Sequence, residues 1–393
     1  MSGRIVIGSY ARTPFGKFGG ALKSLSGPEL GAFIIDAVLD RSGITAADVE
    51  AAYFGVGMIG GGMLTPTRQA VLRSRLPQET PSLAVDRACC SGMSAIGLAY
   101  KDIKAGEAGL LMAGGFESLS RTPQLLPRAR EKQVGRLTVD DPLLMRGEVV
   151  EASIAGYTAR EALRNGIDRA MQDEWALASH ERYFAADARG FFDAERVAVP
   201  VGNGMMAKDE APRADTSPDK LAALSPVYDS ETVTPGNAPG LSDGAAGLLV
   251  ASEARARDLG LRAEAIIHGY VQVCDGPTSG SYTPAIAIRR LLDRHGLSLD
   301  DIALIEINEA FAATPLVSTH RLADGEAGLA EKLRRRTNIH GGAVAIGHPL
   351  GASGARLAMT LASALRARGG GFGIAAICGG FGQGDAILLE VAG

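Results

Sequence analysis

Twice along this chain of 393 residues a Ser-Gly pair opens a helix-periodic stretch, a strand-like run follows, and the run ends on Gly-Gly-Phe. The copies are SGMSAIGLAYKDIKAGEAGLLMAGGF at 91–116 and SGARLAMTLASALRARGGGFGIAAICGGF at 353–381. A fainter pair, ADVEAAYFGVG at 47–57 and DDIALIEINEA at 300–310, precedes each. Two copies of one βαβ-type unit must bury their sheets against shared helices, and a site at their junction draws residues from both.

The rest of the pattern agrees with an α/β architecture. Short β-runs (IVIGSY, AYFGVG, GLLMAGGFES, GLLVAS, FGIAAICGGFG) alternate with amphipathic stretches at 29–40, 91–104, 284–295 and 353–368. Met93, Ile96, Tyr100 and Ile103 fall on one face of a helix that begins near Cys89. Residues 121–243 break the alternation. They are richer in charge and proline and contain a polar helical stretch at 172–192. A structureless loop of that length is improbable, so an inserted lobe over the site is expected.

Composition removes several classes of function. A formal net charge of −4 leaves no electrostatic footprint for nucleic acid or an anionic membrane. No apolar run approaches the ~18 residues of a spanning helix. The N-terminus starts a strand at Ile5 and carries neither a secretory apolar core nor an Arg/Ser-rich transit stretch, so a cytoplasmic enzyme is expected. The four cysteines, Cys89, Cys90, Cys274 and Cys378, lack metal spacing; reduced thiols and no metal site are expected, with Cys274 as a small buried residue.

Two of those thiols stand beside glycines at opposite ends of the chain, with the His348-Pro349 pair and Asn308 between them. Acyl transfer through a thioester needs one thiolate to attack and a separate acid/base to move a proton, work that two cysteines and a histidine can divide. Cys89 precedes a helix, whose unpaired N–H groups would lower its pKa and could serve as an oxyanion hole. Asp86, three residues earlier, would oppose thiolate formation if it faced the sulfur; bonding to backbone is the alternative, and no catalytic role is assigned to it. Asn308 can fix a water facing an oxyanion, and a buried Glu309 would need a partner. Gly347 and Gly351 allow close approach of a ligand to His348.

Taken together the segments strongly resemble the thiolase family. The motifs are RTPFGKFGG (12–20), CCSG (89–92), AGGFES (113–118), YTAREA (157–162), QDEWALAS (172–179), GNAPGLSDGAA (236–246), NEAFA (308–312), GHPLGASGAR (347–356) and CGGFGQGDA (378–386), in the family's order from end to end. The resemblance implies duplicated βαβαβαββ halves in a layered α-β-α-β-α arrangement with an inserted loop domain. In this chain that gives 1–120 plus 244–268 as the N-terminal half, 121–243 as the coenzyme A-binding loop domain and 269–393 as the C-terminal half. A homodimer or homotetramer acting on acyl-CoA or acetyl-CoA is implied, with coenzyme A as substrate or product and no cofactor.

The implied activity is that of an acetyl-CoA C-acyltransferase: reversible Claisen condensation or thiolytic cleavage through an acyl-Cys89 intermediate. By the same resemblance Cys378 is the acid/base for the α-proton and the incoming thiol. His348 activates Cys89 and shares one oxyanion hole with a water on Asn308, while the N–H groups of Cys89 and Gly380 form a second. Arg213 is placed against the adenine, and Gly236, Asn237 and Gly240 along the pantetheine arm. Pro239 stands where the family has a Ser, Ile154-Ala155-Gly156 where it has His-Met-Gly or Pro-Met-Gly, Phe381 for a Gly, Asp86 for an Asn and Cys90 for a Gly or Ala. Ala155 leans toward an acyl chain longer than acetyl. Three other functions remain open: a degradative thiolase for longer 3-ketoacyl-CoAs, a decarboxylating β-ketoacyl synthase-like enzyme, and a non-catalytic acyl-CoA or lipid binder.

Overall fold

The two similar stretches fold into the same unit. The computed structural model describes residues 3–58, 64–126, 139–145, 149–150 and 152–393. The first part of the chain supplies β1 (Ile5–Arg12), β2 (Gly16–Lys17), α1 (Gly27–Ser42), β3 (Ala51–Gly55), α2 (Pro66–Arg73), β4 (Ser82–Val85), α3 (Ser91–Ala105) and β5 (Leu110–Ser118). An intervening segment adds α4 (Ile154–Arg164), α5 (Arg169–Asp187), the hairpin β6 (Val199–Val201) and β7 (Gly204–Met206), and α6 (Pro218–Ala222). The remainder gives β8 (Ser242–Ser252), α7 (Glu253–Asp258), β9 (Ala265–Cys274), α8 (Thr283–His295), β10 (Ile302–Ile307), α9 (Ala313–Leu322), α10 (Ala327–Arg334), α11 (Ala343–Ile346), α12 (Leu350–Ala367), β11 (Gly371–Gly379) and β12 (Gln383–Val391).

Strand order shows the duplication. One half-sheet runs β4-β3-β5-β8-β1 and the other β10-β11-β12-β9. β3 pairs parallel with β5 as β10 does with β11, and each of those partners then pairs antiparallel with β8 or β12. The edge strand β4 has its counterpart reduced to one parallel bridge, Ile305 with Thr337. The half-sheets join along a short antiparallel seam between β1 and β9, Ile5 opposite Ile267 through Ile7 opposite Ala265.

Helices fill three layers around these sheets. α1 covers the outer face of β1, β5 and β8, and α8 covers that of β9, β11 and β12. Between the half-sheets α3 and α12 lie against each other, and each touches strands of both. Ends follow local chemistry: Ser26 and Glu29 form a capping box on α1, and Gly43 closes it in the left-handed conformation at φ 70°.

The reading of 353–368 as amphipathic is overturned. Every residue of α12 from Leu350 to Leu365 is buried, Ser353, Arg356, Thr360 and Ser363 included. A helix with a sheet on each side has no wet face, and its small residues permit the fit. Buried Arg356 is matched by Glu306 at 3.3 Å, as a charge in that layer must be. Cys274 is likewise corrected: it is exposed at the end of β9.

Of the 121–243 segment, 127–138, 146–148 and 151 lie outside the described residues. Its later portion is bolted to the sheet by a buried charge cluster. Arg12, at the end of β1, donates to Glu195 at 2.6 Å and to Asp209 at 2.7 Å, all three side chains fully buried. Thr360 of α12 donates to the other oxygen of Glu195 at 2.9 Å.

Candidate active site

The site is built where the first turns of α3 and α12 meet. Cys89 lies just before α3, and His348 just before α12. Neither N-cap residue, Cys90 or Pro349, bonds its helix through a side chain; in the first turn of α12 the Gly351 N–H donates instead to Glu117 at 3.0 Å. What lets the two helices approach is the absence of side chains. A Cβ on Gly92 would stand 2.3 Å from the carbonyl oxygen of Gly351, and one on Gly354 would stand 2.2 Å from the backbone nitrogen of Met93. Gly347 is needed twice over, since its φ is 101° and a Cβ would meet Ser242 Oγ at 2.4 Å.

The third wall is the end of β11. Cys90 Sγ lies 3.6 Å from the carbonyl of Ile377, and a Cβ on Gly379 would reach Cys90 Sγ at 3.0 Å and the carbonyl of Arg87 at 2.9 Å. The segment carrying Cys378 therefore runs against the turn carrying Cys89. Ala88 adopts φ 50° in that turn, whose carbonyls hold the N–H groups of Cys90 (from Arg87) and Ser91 (from Ala88), both at 3.1 Å. Asp86 spends Oδ1 on the Ala88 N–H at 3.0 Å, bonding backbone.

Asn308 follows β10 and is held by its own N–H donating to Ala376 at 3.0 Å. Its Nδ2 stands 3.4 Å from His348 Nε2, and its Oδ1 is buried without a partner among the described residues. Glu309 is also buried; its partners are four donors rather than a cation: Trp175 Nε1, Ser179 Oγ, Asn338 Nδ2 and the Val344 N–H, at 2.9–3.0 Å. It thereby ties α5, the 338 turn and α11 behind Asn308.

Hydrogen bonding assigns the imidazole tautomer. Ser353 Oγ donates to the carbonyl of Pro349 at 2.8 Å, so toward His348 Nδ1, at 2.6 Å, it accepts. The ring proton then sits on Nδ1, and Nε2 is left with a lone pair. Burial, with a smaller push from Arg356, lowers the His348 pKa to about 3, so the ring is neutral at neutral pH. Burial pushes the Cys378 thiol up to about 12. The Cys89 thiol also rises, through burial first and then the neighbouring Cys378 and Glu117.

This reverses one expectation. A helix N-terminus favours a thiolate by ~1 kcal/mol, but desolvation of the sulfur acts against the charge and is the stronger effect here. The two thiols and the imidazole are thus all neutral at neutral pH.

Not every expected residue joins this cluster as a free group. The Asn237 side chain is used internally: Nδ2 donates to Asp173 at 2.8 Å and to the Thr232 carbonyl at 3.0 Å, while Oδ1 accepts from the Thr234 N–H at 2.8 Å. Gly236 makes room for Leu221 and Leu224, each 2.6 Å from its would-be Cβ. Gly240 is exposed, and its carbonyl accepts from Ser242 Oγ, which in turn accepts the His348 N–H at 3.1 Å. Arg213 is exposed on the inserted segment, its N–H donating to His180 Nδ1 at 3.2 Å. Phe381 sits at φ 59°, a conformation glycine adopts freely and phenylalanine does not.

Three groups escaped sequence reasoning. Ser353 lies inside the GHPLGASGAR motif and could have been flagged by its nearness to His348. Glu117, in AGGFES, accepts from the N–H groups of Gly57 (2.7 Å) and Gly351 (3.0 Å); burial lifts its pKa to about 7 against those bonds. Tyr157 is 4 % exposed, and its pKa is raised by burial and then by Cys378 and Cys89. The last two lie in the AGGFES and YTAREA motifs, but nothing in either motif sets them apart from their neighbours.

Comparison with known proteins decides the family. Residues 5–254 match the model of the thiolase N-terminal domain, and residues 261–391 that of the thiolase C-terminal domain. The chain belongs to the thiolase family. It is 41% identical over 395 residues to a probable acetyl-CoA acetyltransferase of Mycolicibacterium smegmatis, covering 97% of this chain and 98% of that one. Human mitochondrial 3-ketoacyl-CoA thiolase in complex with CoA superposes with a TM-score of 0.93 at 33% identity, covering 99% and 98% of the two chains. The acetyl-CoA acetyltransferase of Bacillus anthracis gives the same score and identity, with 99% of each chain covered. The thiolase match accords with the duplicated α/β fold described above. Among the described residues no helix is long and apolar enough to cross a membrane.

Proposed function

We propose that this thiolase-family chain catalyses reversible, coenzyme A-dependent cleavage and formation of 3-ketoacyl-CoA through an acyl group carried on Cys89. Two observations support this: His348 Nε2 lies 3.4 Å from Asn308, and the helix that follows His348 packs against the turn of Cys89, which itself meets the strand end carrying Cys378. In the cleavage direction Cys89 sulfur attacks the 3-keto carbon as its proton passes to His348 Nε2. The new Nε2–H and a water held by Asn308 serve as oxyanion donors, which suits the unpartnered Oδ1 of that residue. As the carbon–carbon bond breaks, Cys378 gives its proton to the acetyl-CoA enolate. Its thiolate then takes the proton of the entering coenzyme A thiol, which attacks acyl-Cys89. The departing Cys89 recovers its proton from His348.

A thiol with a pKa near 12 suits Cys378 to this work. It stays protonated until the enolate forms, and in the reverse direction its thiolate is basic enough to approach a carbon acid. The N–H groups of Cys89 and Gly380 form the second oxyanion hole. Coenzyme A lies along the 236–240 loop, with Arg213 free to stack on adenine and Asn237 shaping the loop from within. The 121–243 segment acts as the coenzyme A-binding domain, between N- and C-terminal halves of 1–120 plus 244–268 and 269–393. The enzyme works in the cytoplasm as a homodimer or homotetramer, and β4 leaves a sheet edge open to a second copy.

Longer 3-ketoacyl-CoAs are favoured over acetoacetyl-CoA by one feature: Ala155 is buried beside Ala159 and Val233, a smaller filling than methionine gives. Incubation with acetyl-CoA and mass analysis of the Cys89 peptide tests the central step. Acylation is expected in the native chain, none in Cys89→Ala, and slow acylation without carbon–carbon bond chemistry in Cys378→Ala. Normal turnover by Cys378→Ala would refute its role. Thiolysis rates across a series of 3-ketoacyl-CoA lengths decide the substrate.

A further inference from the structure

Behind the two thiols a chain of polar contacts crosses from one half of the molecule to the other. Asp385 of β12 is buried and takes three donors: Arg87 Nη1, Ser94 Oγ at 2.6 Å and Tyr270 OH at 2.5 Å. Arg87 Nε donates to Gln383 Oε1 at 3.0 Å, and Gln383 Nε2 donates to the carbonyl of Gly380 at 3.2 Å. The amide can sit only one way round, because Arg87 only donates and a carbonyl only accepts. At its other end Arg87 anchors the Cys89 turn: its N–H donates to Ser91 Oγ at 2.8 Å, and its carbonyl accepts from Cys90 at 3.1 Å.

We propose that Arg87 and Gln383, braced by Asp385, are positioning residues that set the spacing of the Cys89 and Gly380 N–H donors to the acyl oxyanion. This rests on the role given to those donors above. Each donor belongs to a different half of the fold, and each lies in a strained turn, Ala88 at φ 50° beside one and Phe381 at φ 59° beside the other. A strained loop holds one geometry only where its surroundings over-determine it, and the strut reaches both. Oxyanion donors act only when aimed at the developing charge, so a shift of one peptide is felt in the acyl-transfer steps.

The test separates steps that use the oxyanion hole from one that does not. Gln383→Glu keeps an acceptor for Arg87 but removes the donor to Gly380; Gln383→Leu removes both contacts. For each, the single-turnover rate of Cys89 acylation by acetyl-CoA is measured beside the rate of Cys89 alkylation by iodoacetamide, a displacement with no tetrahedral intermediate. Both variants are expected to acylate roughly tenfold to a hundredfold more slowly, with the KM for acetyl-CoA unchanged and, in the uncharged Gln383→Leu, alkylation unchanged as well. Acylation within about twofold of the native rate in Gln383→Glu overturns the inference. So does a matching loss of alkylation in Gln383→Leu, which would put the defect in the thiol. A native chain that never acquires an acyl group on Cys89 sinks the underlying reading instead, and shows itself before any variant is made.

Discussion

At the scale of single residues the site is a set of neutral groups kept neutral by burial. His348 holds its proton on Nδ1 toward Ser353 and presents a bare Nε2, while the Cys89 and Cys378 thiols are raised out of the neutral range. The sign of each shift fixes the pH behaviour. A thiol whose pKa is raised ionises later than a free one, and an imidazole lowered to about 3 is neutral in the resting site, taking a proton only as Cys89 gives one up. Alkylation of Cys89 by iodoacetamide should therefore still be climbing at about pH 9, beyond the ordinary thiol midpoint. A rate that levels off below neutrality would reveal a preformed thiolate–imidazolium pair and contradict this electrostatic account. Cys89, His348, Asn308 and Cys378 could be put forward as site residues from their motifs. Their protonation could not be read that way: a helix N-terminus beside Cys89 is visible in the sequence, whereas the groups that add to burial in raising its thiol pKa, Cys378 of β11 and Glu117 of β5, stand hundreds and tens of residues away.

At the scale of elements, glycines do the assembling. Gly55, Gly92, Gly115, Gly351 and Gly354 let β3, β5, α3 and α12 touch backbone to backbone, and that contact brings the turns of Cys89 and His348 together. A methyl group at Gly351 would lie 2.4 Å from the carbonyl of Gly55 and 2.5 Å from that of Phe116, neither of which can rotate aside. Gly351→Ala should cost about 1–3 kcal/mol of stability, and the displaced helix start should slow acylation by more than about tenfold. Gly204→Ala, where a Cβ meets nothing within 4 Å, is the control expected to change neither. Unfolding midpoints and acylation rates measured on both variants check the contrast; equal behaviour would remove the glycine contacts from the explanation. Helix positions at this scale were largely readable, because periodicity and caps such as Ser26 with Glu29 are local. α12, buried from Leu350 to Leu365, was misread, since a second sheet over its polar-looking face is invisible to a window of neighbouring residues.

For the whole molecule the decisive joint is the buried Arg12 cluster, which fastens the 183–210 region to β1 and to α12. Arg12 belongs to the RTPFGKFGG motif, yet it lies inside the fold, between Glu195 and Asp209. Removing one member of such a group strands the others without a counter-charge. Arg12→Met should lower stability by about 3–5 kcal/mol in denaturant unfolding, while Asp300→Asn at the exposed Lys332 pair should leave the midpoint where it was. An Arg12→Met protein as stable as the native chain would mean that the inserted segment is held by other means.

The sequence by itself determined the duplication, the alternation of strands and helices, and which side chains are chemically fit to carry an acyl group, because each is written in residue type and short-range spacing. Only the tertiary structure decided that the Asn237 side chain is spent within its own loop and that Ser353 sets the tautomer of His348. It also decided that Gln383 reaches the peptide of Gly380. Hydrogen-bond geometry and desolvation depend on atoms that meet across the fold, and no local pattern specifies that meeting.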